Sequence, residues 1–130
     1  MLPSKRPKYG NKKIEVDGVK FDSKLEYYLY NALQVNKMDF DFQVGVELVP
    51  KFRFHNEGIR AITMRVDFLL RHNAREIFID TKGFATTDAK MKYKMLKYKF
   101  KDNHKIHIIW LKTQKEVNNF IFKLKQEEQL

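Results

Sequence analysis

Cysteine is absent from the 130 residues. That excludes a disulfide framework, a thiolate zinc site and a cysteine nucleophile. No apolar run reaches membrane-spanning length. The opening residues, Met1-Leu-Pro-Ser-Lys-Arg-Pro-Lys8, lack the apolar core of a secretory signal. The expectation is a soluble, cytoplasmic protein. There is no glycine-rich phosphate loop and no serine–histidine–aspartate arrangement. His55, His72, His104 and His107 show no zinc spacing, and all four read as surface or packing residues. Acid is scarce as well, with 16 acidic against 26 basic residues and a net charge of +10. Residues 1–13 contain no acid and five bases, Lys5, Arg6, Lys8, Lys12 and Lys13. Pro3, Pro7 and Gly10 discourage regular structure there, so this segment reads as a flexible basic arm. Such a balance points to a polyanionic partner, nucleic acid above all; the plainer alternative is solubility.

What is present is enough for one packed domain over residues 14–130. The apolar fraction is 43%, with 14% aromatic residues, so the chain can build a core without staples. Asp17-Gly18 is a two-residue hairpin turn between short strands at 14–21. Ser23-Lys-Leu-Glu26 has the pattern of a capping box and predicts a helix from Lys24 to about Asn36. Its apolar stripe is Leu25, Tyr28, Leu29, Ala32 and Leu33, with Glu26 at the border between core and solvent. Strands are expected at 43–49, 51–55, 59–71, 76–81 and 105–111, with a turn at Asn56-Glu-Gly58. A helix capped by Thr87 or Asp88 should reach Asp102, and a last helix should run from Gln114 to Gln126 through Val117, Phe120, Ile121 and Leu124. The order predicts an α/β fold with a mixed sheet flanked by helices. The segment from 76 to 111 should be a right-handed parallel crossover.

Two strands carry the chemistry. Arg65-Val-Asp-Phe-Leu-Leu-Arg71 holds Asp67, and Glu76-Ile-Phe-Ile-Asp-Thr-Lys82 ends in Asp80 and Lys82. Carboxylates in strands this apolar are costly to bury unless paired or bound to a cation. Side chains two apart on a strand point the same way, so Asp80 and Lys82 share a face, opposite Thr81. Strict alternation would set Met64, Val66, Phe68 and Leu70 on one face of their strand and Arg65, Asp67 and Leu69 on the other. If Asp67 faces Asp80, two carboxylates converge near a lysine, a hard-oxygen set suited to magnesium or manganese. Asp-x-Lys alone is a weak signal, since Asp22-Ser-Lys24 and Asp88-Ala-Lys90 also occur at helix starts, where acids are expected. The competing account is an Asp80–Lys82 ion pair with Asp67 separately solvated. A rival acidic pair, Asp39 and Asp41, has the same spacing but no nearby strand lysine, and reads as exposed. On the helix after Asp80, Lys90, Lys94, Lys97 and Lys101 fall in a narrow stripe that could follow phosphates or simply face solvent. Two apolar stripes flank it: Met91, Met95 and Tyr98 on one side, and Tyr93, Leu96 and Phe100 on the other.

The succession Glu26, Asp67, Asp80-Thr-Lys82 resembles the PD-(D/E)xK nuclease signature and its restriction-endonuclease-like core. More closely, Lys8-Tyr-Gly-Asn-Lys-Lys13, Val16-Asp-Gly-Val-Lys-Phe-Asp-Ser-Lys-Leu-Glu26, Pro50-Lys-Phe52, Asp80-Thr-Lys-Gly-Phe84 and Lys94-Met-Leu-Lys-Tyr-Lys99 resemble a family of small phage endonucleases related to Holliday junction resolvases. The resemblance covers residues 8–112. It implies a Mg2+-dependent endonuclease, with Mn2+ able to substitute, acting on branched DNA as a homodimer. Within it, Glu26, Asp67 and Asp80 are implied as metal ligands and Lys82 as the catalytic lysine. Gln43 resembles a supporting glutamine of related transposase endonucleases. Val66 stands where the signature has proline, a residue that shapes the strand and does not bind metal. Two further readings stay open: a transposase-type or nicking nuclease of the same fold, and a basic nucleic-acid-binding domain whose acids only make ion pairs.

Overall fold

A computed structural model describes residues 13–83 and 85–128 of the chain. The elements in order are β1 (Ile14–Val16), β2 (Val19–Phe21), α1 (Lys24–Val35), β3 (Asp39–Val49), β4 (Phe52–Phe54), β5 (Glu57–Ile59), β6 (Ile62–His72), β7 (Arg75–Thr81), α2 (Thr87–Lys99), β8 (Ile106–Leu111) and α3 (Gln114–Glu128). They form an α/β fold with a mixed sheet, in two compact units. Of the described residues, the first unit takes 13–37, 81–83 and 111–128, and the second takes 38–80 and 85–110. No helix among these residues is long and apolar enough to cross a membrane.

The first unit is a hairpin and two helices. β1 and β2 pair antiparallel around Asp17 and Gly18, whose φ values of 53° and 81° are those of a two-residue turn with both central residues left-handed. α1 begins as its sequence dictates: Ser23 is extended, and its Oγ accepts the Glu26 N–H at 3.1 Å. Leu29 and Leu33 are fully buried. Phe21 is also buried, with the Tyr27 and Tyr30 rings edge-on at 5.2 and 5.0 Å. Tyr28 Oη donates to Asn118 Oδ1 at 2.7 Å, tying α1 to α3. α3 is opened by Thr113, whose Oγ1 accepts the Glu116 N–H at 3.1 Å while Glu116 Oε1 accepts the Lys112 N–H at 3.2 Å. It buries Val117, Ile121 and Leu124.

The four-stranded sheet, in the order β3-β6-β7-β8, belongs to the second unit except for the last residues of β7 and β8, Thr81 and Leu111. β3–β6 and β6–β7 are antiparallel. The Glu76 N–H donates to Lys105 O at 2.9 Å and the Lys82 N–H to Leu111 O at 3.1 Å. The same sense and the same offset at both places make β7–β8 parallel. β7 is therefore interior to the sheet, and every residue from Ile77 to Thr81 is buried. α2 lays Tyr93 and Leu96 onto a cluster with Val46, Met64, Val66 and Phe78. Of its two apolar stripes, this is the one that packs; Met91 and Tyr98 are exposed.

Several boundaries differ from the sequence expectation. β3 starts at Asp39, because Asp39, Phe40, Asp41 and Phe42 all find partners on β6. The expected turn at Asn56-Glu-Gly58 sits one residue earlier, leaving Glu57 and Gly58 to pair in β5, and Ile59 ends β5 instead of opening the long strand. α2 is capped by Thr86, whose Oγ1 accepts the Ala89 N–H at 3.1 Å. It stops at Lys99, so Lys101 lies beyond the helix and pairs with Asp102 at 3.0 Å.

The β6–β7 hairpin turns through Asn73 and Ala74, with φ values of 51° and 62°. Asparagine tolerates that region, but alanine loses about 1–2 kcal/mol there. Ala74→Gly is expected to raise stability by about 0.5–1 kcal/mol after the extra chain entropy of glycine is subtracted. A thermal melt of the variant at or below the wild-type midpoint would contradict this.

Candidate metal centre

β6 does not alternate regularly. Met64 and Val66 join the cluster that contains Phe78, with Leu69 packed against it. Strict alternation would set Met64 and Val66 on the face of Phe68 and Leu70, opposite Leu69. The change of side falls at Asp67. Across the ladder, Phe42 pairs with Phe68 and Val44 with Val66, while Gln43, opposite Asp67, makes no regular pair. Gln43 has φ 56°, a costly conformation for a residue with a side chain. A kink in β3 thus faces a change of side in β6, and Val66, Asp67 and Phe68 are buried in succession. Gln43, expected as a support residue, sits at that kink.

That irregularity frees the Asp67 N–H to turn to a side chain. It donates to Asp80 Oδ1 at 2.9 Å, and Tyr93 Oη donates to Asp80 Oδ2 at 2.6 Å. Asp80 is 0% exposed and Asp67 5%. Burial pushes the Tyr93 hydroxyl pKa well up; the negative charge of Asp80, the hydrogen bond to it, and then the charge of Asp67 push it further. Tyr93 therefore holds its proton and acts only as a donor here. Asp80 accepts from this hydroxyl directly, and Asp67 bears on it only through its charge. Lys82 follows Asp80 by two residues and is half-buried, its N–H continuing the ladder to β8. The arrangement can fix the Asp80 carboxylate in one plane, and carboxylate oxygens are the ligands a hard cation takes.

Sequence reasoning missed Tyr93. It stood as one member of an apolar stripe with Leu96 and Phe100. The available signal was its hydroxyl, since a buried tyrosine usually finds a partner for it.

Glu26, expected at the border of core and solvent, is 1% exposed in the first unit. Its N–H is held by Ser23, and its Oε2 accepts the Asp22 N–H. The reciprocal arm of the capping box thus lands one residue before the cap. Asp39 and Asp41 are exposed, as expected, and the cation they use comes from β6. Arg71 donates to Asp39 at 3.1 and 3.2 Å and to Asp41 at 3.0 Å. The hydrogen bond from Arg71 holds the Asp41 carboxyl below the usual carboxylate range. A depressed carboxylate contributes stability above its unfolded pKa and loses it as pH falls through the folded value. The melting-temperature gap between wild type and Arg71→Gln should therefore narrow on acidification below about pH 4. A gap constant across that range would show that the clamp does not set it.

Of the expected DNA contacts, Lys13 is exposed, as are Lys90, Lys94, Lys97 and Lys101; Lys5, Arg6, Lys8 and Lys12 lie outside the described residues. His55, His104 and His107 are exposed and His72 is buried.

No curated protein and no solved structure matches this chain. Glu26, the Asp67–Asp80 pair, Lys82 and Tyr93 all lie within residues 6–117, the segment matched by the family described as "Protein of unknown function (DUF1064)", and the chain belongs to that family.

Proposed function

We propose that the protein is a Mg2+-dependent, structure-specific DNA endonuclease with a restriction-endonuclease-like core, acting on branched DNA as a homodimer. The observation that carries this reading is Asp80: a wholly buried carboxylate on an interior strand, gripped by a backbone N–H and a tyrosine hydroxyl, beside a second buried acid. Two acids buried this deeply among apolar strands are what a bound cation would balance.

In this reading Asp67 and Asp80 hold the metal, and Glu26 is given the same role on its chemistry, as a carboxylate buried on an apolar helix. Bound magnesium would polarise the scissile phosphate, lower the pKa of a water and shield developing charge. Tyr93 keeps its proton and, with the Asp67 N–H, fixes the plane of the Asp80 carboxylate. Lys82 orients the attacking water or stabilises the charge that builds on phosphorus. The exposed lysines and the net charge of +10 draw the DNA backbone in, with an affinity that falls steeply with salt.

Cleavage of a four-way junction and of linear duplex, with and without Mg2+, tests the reading. Paired, metal-dependent cuts in the junction are expected. Metal-dependent cutting of linear duplex without junction preference would favour a nicking or transposase-type enzyme, and binding without cutting would leave a non-catalytic domain. Mg2+ at 100 times its dissociation constant should stabilise the fold by about 2.7 kcal/mol. Tyr93→Phe, which removes one of the two groups orienting Asp80, should weaken Mg2+ by about 10–100-fold, read from the same melts.

A further inference from the structure

Between α2 and β8 the second unit has a cavity of about 280 Å3, lined by Lys90, Tyr93, Lys94, Lys97, Ile108, Ile109 and Trp110. It lies along β8, the edge strand of the sheet. Its floor is aromatic and aliphatic: the Trp110 ring stacks on Tyr93 at 5.7 Å and 15°, and Ile108 shares the Trp110 face of β8. Its rim is cationic. Lys90, Lys94 and Lys97 are exposed, and among the described residues no carboxylate pairs with them. The acid on the first turn of α2, Asp88, is turned to Lys92 at 3.8 Å. Positions 90, 94 and 97 rise along one face of the helix over about 10 Å, longer than one phosphate.

From this juxtaposition we infer that the α2–β8 groove binds an unpaired nucleotide of a nucleic-acid strand, the base against Trp110 and Ile108 and the flanking phosphates on the three lysines. The volume lies near the lower end of ligand pockets, roughly 300–1,000 Å3. It suits a single base and excludes a stacked pair. An apolar floor cannot hold a bare phosphate, and a cationic rim does not suit an apolar peptide. Base stacking on an aromatic platform beneath a basic groove is the general means of holding a single strand. The proposal shares the nucleic-acid ligand with the nuclease reading but requires no cutting. Through Tyr93, whose hydroxyl reaches Asp80, the groove adjoins the acidic pair.

Trp110 is the only tryptophan, so its fluorescence reports the groove directly. The experiment titrates the full chain with octathymidylate in EDTA, which removes cleavage and metal from the measurement. Saturable quenching is expected. A Lys94→Gln/Lys97→Gln double variant, altered only at exposed positions, should bind more weakly and lose about 1.4 from its log–log salt slope. Trp110→Leu, followed by anisotropy of a labelled octathymidylate, should lose about tenfold in affinity, while Trp110→Phe should retain most of it. The proposal is overturned by any of three results: no saturable quenching, equal quenching in the double variant, or equal quenching by a blunt duplex. Quenching in EDTA by a protein that never cuts DNA would uphold the groove and sink only the nuclease reading.

Discussion

Purified Lys82→Ala protein is expected to bind branched DNA as wild type does and to cut it at least ~100-fold more slowly. Lys82 follows the interior strand and is half-buried, so truncating it leaves the sheet intact while removing the positive charge that the proposed reaction needs at phosphorus. Asp80→Asn should lose cutting to at least the same degree, but with a different signature. It also loses the carboxylate charge that would bind the cation, so the Mg2+-dependent rise in melting temperature should vanish with the activity. Lys82→Ala should keep that rise. Measuring rate and melt on both variants separates a residue that acts on the phosphate from one that holds metal. Wild-type cutting by Lys82→Ala would overturn the catalytic assignment. A persistent Mg2+ shift in Asp80→Asn would move the metal elsewhere.

Phe68→Ala should destabilise the fold by about 3–5 kcal/mol. Phe68 is fully buried, and its ring is bracketed by Phe42 at 5.3 Å and Phe40 at 5.9 Å. Its neighbours Leu70, Ile77 and Ile79 are buried to 3% exposure or less, so the strand cannot collapse into the space. Domains of this size typically have only about 5–15 kcal/mol to lose, so the variant should melt far below wild type and lose activity through the fold. Phe42→Ala, at a half-buried position, is the control and should cost less. A Phe68→Ala loss under about 1 kcal/mol in urea melts would mean that the core is not centred on β6. The position matters to the site because Phe68 follows Asp67 directly, and its packing anchors the strand just after β6 changes side.

Much of this molecule is legible locally. The Asp17-Gly18 turn, the Ser23 cap, the apolar stripes of α1 and α3 and the apolar strand around Ile77–Ile79 follow from short-range rules, because each depends on residues within a turn or two of one another. That the strands of Asp67 and Asp80 are neighbours was also foreshadowed, since two strands joined by a short turn lie side by side; that the contact runs from the Asp67 N–H to the Asp80 carboxylate was not. The position of the α2 cap was missed by one residue, because Thr86, Thr87 and Asp88 can all cap and only backbone geometry chooses among them.

The sequence by itself determined which strands carry acids, where the chain turns, and that the protein is strongly basic. Tertiary structure alone decided what those acids touch. The kink at Gln43 lies opposite Asp67 on a neighbouring strand, and it accompanies the change of side that regular alternation cannot foresee. Tyr93 reaches Asp80 because α2 folds back over β7, thirteen residues later in the chain. Arg71 clamps Asp39 and Asp41 because β3 and β6 pair in one register. The floor of the α2–β8 groove exists only once a helix and an edge strand meet. Each of these rests on side chains brought together by strand pairing or helix packing, and periodicity reports only which way a residue faces, never which distant residue will face it.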